Sequence, residues 1–137
     1  MKVMVVGTNF WLRARLVILL RYQPGIDMVA AAGSSRKAAR LAREYQPQVT
    51  VMDVSEPGLD EIEAMRQIRA AYGDARVILL SNCSTPENVH TALQAGAMGY
   101  VLMKESAADD IVAAVRSVAK GKCYLDQNLR DGSAPEA

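Results

Sequence analysis

One carboxylate stands where the chemistry of an open α/β sheet is normally found. Asp53 ends the strand-like run VTVMD and is followed by the turn Glu56-Pro57-Gly58. Ligands of such sheets collect outside the carboxyl ends of the strands, so Asp53 is a candidate reactive group. The first strand-like run, MKVMVVG, has no acidic side chain at its end. Since Mg²⁺ is usually held through one or two carboxylates and further oxygens, Asp53 alone predicts a weak hold on a divalent metal.

Short apolar runs alternate with helical periods along the chain, a pattern typical of a parallel sheet with helices on both faces. The apolar runs predict strands at Lys2–Val6, Asp27–Ala31, Val49–Met52, Arg76–Leu80 and Gly99–Leu102. The helical periods predict helices at about Phe10–Tyr22, Ser35–Tyr45, Asp60–Tyr72, Pro86–Ala95 and Ala107–Lys120. Five such units in 137 residues predict a flavodoxin-like (βα)5 fold of class α/β, in which a doubly wound, five-stranded parallel sheet forms a three-layer sandwich.

Three residues mark predicted helix ends. Ser35 is expected to cap the second helix, because a hydroxyl at this position can accept a hydrogen bond from the first turn. Pro86 suits the first turn of the fourth helix, and Gly121 follows the fifth helix as a stop.

The predicted fold gathers polar residues at one edge of the sheet. In a doubly wound sheet the loops that follow the strands meet at the carboxyl edge. These loops carry Gly7, Thr8, Asn9, Asp53, Ser81 and Lys104. We therefore expect a site that combines one carboxylate, one hydroxyl and one ammonium group.

Two segments resemble a known family. The run VTVMDVSEPGLDEIEAMRQIR resembles the phosphoacceptor region of bacterial response-regulator receiver domains. ARVILLS followed by AGAMGYVLMKE resembles the switch-hydroxyl strand and the aromatic-plus-lysine strand of the same family, especially its LuxR/NarL-type subgroup. The resemblance extends over nearly the whole chain, from Met1 to Tyr124.

The resemblance implies roles for four residues. Asp53 corresponds to the phosphoacceptor, Ser81 and Tyr100 to the switch residues, and Lys104 to the phosphate-binding lysine. In a complete receiver Mg²⁺ neutralises the phosphoryl oxygens while the aspartate acts as the nucleophile. The non-catalytic alternative for Asp53 is a strand-end residue that caps a loop or pairs with Lys104. Tyr100 is expected to pack between the fourth and fifth helices with its hydroxyl reaching solvent.

The sequence departs from the family pattern at several of these positions. Gly7 and Thr8 occupy the places of the acidic pair that normally binds the metal. Glu56 replaces the usual Met before the proline, and the extra residue Met103 separates the Gly-Tyr pair from Lys104, which is expected to displace the lysine.

These departures change the charge of the expected pocket. Asp53 and Lys104 together give it a formal charge of about zero, so little offsets the cost of removing water from Mg²⁺. We expect weak or absent Mg²⁺ binding, no resident cofactor, and no phosphorylation. Glu56, Asn9 and Thr8 are the nearby oxygen donors that could compensate for the missing pair. Trp11 is expected to form part of the core. Together with Phe10 it also places two bulky rings beside this loop, which could fill or roof the pocket.

The expected function is that of an atypical receiver domain without enzymatic activity. It would act as a phosphorylation-independent interaction or dimerisation module in signal transduction and transcriptional regulation. Two alternatives stay open: a working phosphoacceptor at Asp53 with an altered metal site, and a domain that senses a small molecule in the uncharged pocket.

The resemblance also implies partners. A homodimer is expected through the fourth helix, the fifth strand and the fifth helix, where Leu93, Met98 and Val101 offer apolar contacts. A histidine kinase or another regulatory protein is the expected signalling partner, and DNA is expected to be contacted through a separate domain.

Composition and charge set further limits. Sixteen basic and fifteen acidic side chains give a net charge of +1, which argues against a general binder of nucleic acid or membrane surfaces. We place the domain at residues 1–124 and predict a linker or disordered tail at 125–137, where apolar periodicity gives way to Gly, Ser, Pro and Glu. The sequence has two widely spaced cysteines, no signal-peptide pattern and no long apolar run. We therefore expect a cytoplasmic location and no membrane partner.

Overall fold

The strands form one parallel sheet with the order β2-β1-β3-β4-β5-β6. A computed structural model describes residues 1–54, 59–82, 85–104 and 107–126. Its strands are β1 (Lys2–Val6), β2 (Asp27–Ala32), β3 (Val49–Asp53), β4 (Arg76–Ser81), β5 (Gly99–Leu102) and β6 (Tyr124–Leu125). The prediction of a flavodoxin-like parallel sheet is confirmed, and the described sheet has one strand more than the five predicted.

Five helices cover the two faces of the sheet. They are α1 (Phe10–Arg21), α2 (Ser35–Tyr45), α3 (Leu59–Ala71), α4 (Pro86–Gln94) and α5 (Ala107–Ala119). Helices α1 and α5 pack on one face, and α2, α3 and α4 pack on the other, which gives the predicted three layers. None of the helices in the described ranges is long and apolar enough to cross a membrane.

Alternation along the strands divides the core between the two helical layers. In β1, Val3 and Val5 pack toward α1 and α5, whereas Met4 and Val6 pack toward α2, α3 and α4. Successive side chains of a strand point to opposite faces, so a strand covered on both sides must be apolar at consecutive positions. This requirement explains why the strands appear in the sequence as continuous apolar runs.

The helix ends confirm two of the three sequence expectations. Pro86 lies in the first turn of α4, and Gly121 follows α5 with a φ of 86°, a left-handed conformation that glycine adopts without strain. The predicted cap of α2 was wrong by one residue. Ser34 is the N-cap, because its backbone is extended (φ −151°, ψ 159°) and its Oγ accepts a hydrogen bond from the Lys37 amide at 3.2 Å.

Strand β6 was not predicted. It pairs with β5 through the Tyr124 amide, which donates to the Met98 carbonyl at 2.8 Å, and through the Asp126 amide, which donates to the Tyr100 carbonyl at 2.9 Å. A two-residue strand is too short to show a periodic pattern. The described fold therefore continues past the boundary placed at Tyr124, while residues 127–137 lie outside the described part of the chain.

Candidate functional site

The candidate site lies at the topological switch point of the sheet. Strands β1 and β3 are neighbours, and the chain leaves them toward opposite edges, which opens a crevice at their carboxyl ends. Asp53 is the last residue of β3, and Gly7 directly follows β1. A Cβ atom added to Gly7 would lie 3.3 Å from Asp53 Cβ and 3.6 Å from Asp53 Oδ2. Position 7 therefore faces the carboxylate, and here it carries no side chain.

Burial raises the pKa of Asp53 above its ordinary value, because the half-buried carboxylate loses part of its hydration. Among the described residues, none of the ion pairs includes Asp53. The alternative in which Asp53 pairs with Lys104 is therefore wrong. Desolvation raises the pKa of this carboxyl, and no described lysine forms an ion pair with it.

Lys104 instead pairs with two other carboxylates. Its Nζ lies 3.9 Å from Asp110 Oδ2 and 4.0 Å from Asp126 Oδ1. The Met103 amide donates to the Ser81 carbonyl at 2.9 Å, so Met103 continues along β4 and the lysine follows one residue later. The Met103 side chain packs against the layer formed by α1 and α5. Met103, the extra residue, is thus followed by a lysine that pairs with Asp110 of α5 and with Asp126 after β6.

Ser81 and Tyr100 are both fully buried. Ser81 ends β4, and Tyr100 lies on β5 in register with Leu79, two residues before the pair formed by Ser81 and Leu102. Tyr100 packs with the core under α2, α3 and α4. The expectation that its hydroxyl reaches solvent was wrong, since the side chain has no exposed surface. Its position beside the end of β4 places this ring near the candidate switch hydroxyl.

Two of the proposed compensating oxygens can be located. Thr8 is exposed, and the Oδ1 atom of Asn9 accepts a hydrogen bond from the Leu12 amide at 3.1 Å as the N-cap of α1. An oxygen used as a helix cap is less available to a metal. Glu56 lies outside the described residues.

Arg13 is a basic residue at this site that the sequence reasoning missed. Its guanidinium donates a hydrogen bond to the Gly7 carbonyl and lies 5.6 Å from the centre of the Phe10 ring. It also lies close to Gly33, where an added Cβ would be 3.2 Å from its Nη1 atom. The signal was available, because Arg13 follows the N-cap of α1 by one turn and must project near the loop after β1.

The described residues offer few acidic ligands for a metal ion. They contain no group of three or more His, Cys, Asp or Glu side chains arranged to hold a metal ion. The crevice offers the Asp53 carboxylate, a glycine opposite it, and a Gly7 carbonyl that already accepts from Arg13. Mg²⁺ takes oxygen ligands in near-octahedral geometry and is usually bound through one or two carboxylates, of which the described part of the crevice supplies Asp53.

The rings beside the site are exposed rather than packed. Trp11 is 76% exposed and Phe10 is 60% exposed, and the two rings meet edge to face with centroids 5.3 Å apart. The expectation that Trp11 is part of the core was wrong. Ile18 and Tyr22 continue this exposed apolar surface along and beyond α1. Beside it, a groove of about 340 Å³ between α1 and α5 is lined by Leu12, Arg15, Leu16, Ile18, Leu19, Met103, Lys104, Ala107, Ala108 and Ile111.

The fold and the position of Asp53 define a receiver-type α/β domain, and comparison with known proteins agrees. The family model described as "Response regulator receiver domain" matches residues 3–116, and the chain belongs to this family. A crystal structure of a two-component response regulator of the LuxR family from Aurantimonas sp. SI85-9A1 shares 32% identity with a TM-score of 0.85, covering 95% of this chain and 92% of that one. The domain is thus a receiver of the LuxR/NarL type.

Curated relatives are longer than this chain. The transcriptional regulatory protein LiaR of Bacillus subtilis is 32% identical over 128 residues, which are 93% of this chain and 60% of that protein. The response regulator GacA of Pseudomonas aeruginosa is 30% identical over 93% of this chain and 59% of its own length. The chain therefore spans about 60% of the length of these relatives. A structure of the regulator RcsB bound to DNA, at 20% identity and a TM-score of 0.83, shares the fold.

Proposed function

We propose that this receiver domain is atypical and acts as a phosphorylation-independent interaction or dimerisation module in two-component signalling and transcriptional regulation. In this proposal it has no enzymatic activity and needs no metal cofactor. The observation that carries the proposal is the position of Lys104, whose ammonium lies beside Asp110 and Asp126 and forms no ion pair with Asp53.

The electrostatics of the crevice support this proposal. A phosphoryl group adds negative charge to a carboxylate that is already partly desolvated, so its formation depends on nearby positive charge. Lys104 pairs with Asp110, so its ammonium does not supply this positive charge to the described crevice. Position 7 is a glycine and supplies no carboxylate to bind a metal ion that would bring such charge. Arg13 is a cation at this edge, and its described hydrogen bond is to the Gly7 carbonyl.

A phosphorylation assay tests the proposal directly. The protein is incubated with acetyl phosphate and Mg²⁺, and its intact mass is measured, with Asp53→Asn as the matched control. We expect the two proteins to behave alike, with no mass shift that depends on Asp53. A shift present in the wild type and absent from Asp53→Asn would overturn the proposal and favour the alternative of a working phosphoacceptor.

In the proposed homodimer, fewer of the expected apolar residues can contact a partner. Leu93 and Met98 are partly exposed at the face formed by α4, β5 and α5, but Val101 is fully buried and cannot contact a partner, so that part of the expectation was wrong. Sedimentation velocity of Leu93→Glu tests this face, and Ile18→Glu on exposed α1 is the matched control. Dissociation by Leu93→Glu alone supports the proposed face, whereas dissociation by Ile18→Glu alone contradicts it.

For the full-length protein we infer a histidine kinase or another regulatory protein as the signalling partner, and DNA contact through a separate domain. The support is membership of the LuxR/NarL-type receivers and the longer transcriptional regulators among the relatives. Fusion of the domain to its native downstream sequence, followed by a DNA-binding assay with and without that sequence, tests the second inference.

A further inference from the structure

Four side chains tie the end of the described chain to the loop after β5. Lys104 lies 3.9 Å from Asp110 and 4.0 Å from Asp126, measured between charged atoms. The Tyr124 hydroxyl donates to Asp110 Oδ1 at 3.0 Å, and the Leu102 amide donates to Asp126 Oδ2 at 3.3 Å. These contacts join β5, α5 and β6, three elements that follow one another in the chain.

The two carboxylates differ in how much they depend on the lysine. The side chain of Asp110 is 31% exposed, so water screens its charge. The side chain of Asp126 is 1% exposed. A buried charge is costly when a charged partner is withdrawn, so the charge of Lys104 matters most to Asp126. Asp126 also carries the last described hydrogen bond between the chain after β6 and β5, from its amide to the Tyr100 carbonyl.

We propose that Lys104, Asp110, Tyr124 and Asp126 form a latch that holds β6 and Asp126 against β5 while the lysine is paired with the two carboxylates. Negative charge gained at the carboxyl edge would draw the ammonium toward the crevice and weaken the latch. By thermodynamic reciprocity, a partner that pulls β6 away from β5 would release the lysine from these carboxylates. The inference goes beyond the proposed function, because it rests on these contacts and not on whether Asp53 is phosphorylated.

Hydrogen exchange of the complete 137-residue chain tests the latch without any phosphodonor. The matched pair is Lys104→Met and Lys120→Met, since Lys120 is an exposed lysine just after α5. In Lys104→Met we expect the Tyr124 and Asp126 amides to exchange about tenfold faster than in the wild type, with β1 amides unchanged. Lys120→Met should match the wild type. Unchanged exchange of both the Tyr124 and the Asp126 amide in Lys104→Met would overturn the proposal.

A double-mutant cycle separates the latch from general destabilisation. Asp126→Asn removes the buried charge, so adding Lys104→Met to it should accelerate exchange by less than about twofold. Fully additive effects would contradict the coupling. If Asp126→Asn does not fold, Tyr124→Phe provides the second route, because it removes the hydroxyl bonded to Asp110 and should accelerate the same amides.

Two substitutions of the exposed residue Thr8, one charged and one neutral but of the same shape, test whether charge at the carboxyl edge weakens the latch. Thr8→Asp adds a negative charge beside the crevice, and Thr8→Asn adds the same volume without the charge. We expect several-fold faster exchange of the Asp126 amide in Thr8→Asp only, and this difference should disappear at high salt. Equal exchange in the two variants at low salt would show that the latch does not respond to the edge.

Discussion

At the scale of single residues, Thr50 is a buried polar group without a described partner. The side chain is fully buried in β3, and its Oγ1 makes no hydrogen bond among the described residues. An unsatisfied buried hydroxyl costs its desolvation, so Thr50→Val, which keeps the shape, should stabilise the fold by about 1 kcal/mol. Urea denaturation measures this change. Thr91→Val, which removes a hydroxyl that donates to the Glu87 carbonyl, is the control and should not stabilise.

Asp53 should make stability depend on pH in an unusual direction. Its pKa is raised from 3.8 by burial, so the native state binds the proton more tightly than the unfolded state. The resulting stabilisation is fully present below 3.8 and is lost as the pH rises through the raised folded pKa. We therefore expect Asp53→Asn to melt at a higher temperature than the wild type at neutral pH. Thermal melts at falling pH should show this advantage shrinking, and a constant difference would contradict the assignment.

Restoring the acidic pair should restore metal binding but not phosphorylation. Gly7→Asp with Thr8→Asp returns the ligand types that Mg²⁺ prefers, although the new Cβ at position 7 lies 3.3 Å from Asp53 Cβ and requires a small shift. We expect Mg²⁺ binding by calorimetry and no Asp53-dependent mass shift with acetyl phosphate, because the bound Mg²⁺ offsets the two added negative charges and Lys104 then stays with Asp110 and Asp126. Gly7→Ala with Thr8→Val controls for the backbone change. Phosphorylation of the Gly7→Asp, Thr8→Asp variant would contradict this expectation. It would show that the missing acidic pair, and not the position of Lys104, is what prevents phosphorylation.

At the scale of elements, β5 depends on a close approach at Gly99. A Cβ added there would lie 2.9 Å from Ile78 Cγ1 and 3.2 Å from Ile78 Cγ2, inside the packed sheet. Gly99→Ala should therefore destabilise the fold by about 1–3 kcal/mol through overpacking. At Gly73 nothing lies within 4 Å of an added Cβ, so Gly73→Ala is the matched control and should change stability by less than about 0.5 kcal/mol. Equal effects in urea denaturation would contradict this account.

At the scale of the whole molecule, Mg²⁺ should leave the native state unaffected. A ligand that binds only the native state raises its stability by mass action, so the melting temperature reports binding without a spectroscopic probe. Because the described crevice supplies one carboxylate, we expect millimolar Mg²⁺ to leave the melting temperature unchanged. A saturable rise that is absent from Asp53→Asn would show a working metal site and contradict the expectation.

The sequence by itself determined the layers and most element boundaries. Continuous apolar strands and helical periods are local patterns, so the ends of β1 and α2 were predicted to the residue. It also determined that Asp53 and Gly7 share one edge, because the order of a doubly wound sheet places the ends of β1 and β3 together. The predicted cap of α2 was misplaced by one residue, because Ser34 and Ser35 have the same side chain and differ only in backbone conformation.

Tertiary structure decided the partners of the charged and aromatic residues. Lys104 pairs with Asp110 and Asp126, and these contacts depend on how α5 and β6 return to β5. The full burial of Tyr100 and the exposure of Trp11 likewise depend on which neighbouring elements cover each ring. Periodicity reports which face a side chain occupies, but an ion pair or a buried ring requires atoms from distant segments to meet. The sequence therefore indicated which groups stand near the crevice, and only packing determined that Lys104 pairs with Asp110 and Asp126.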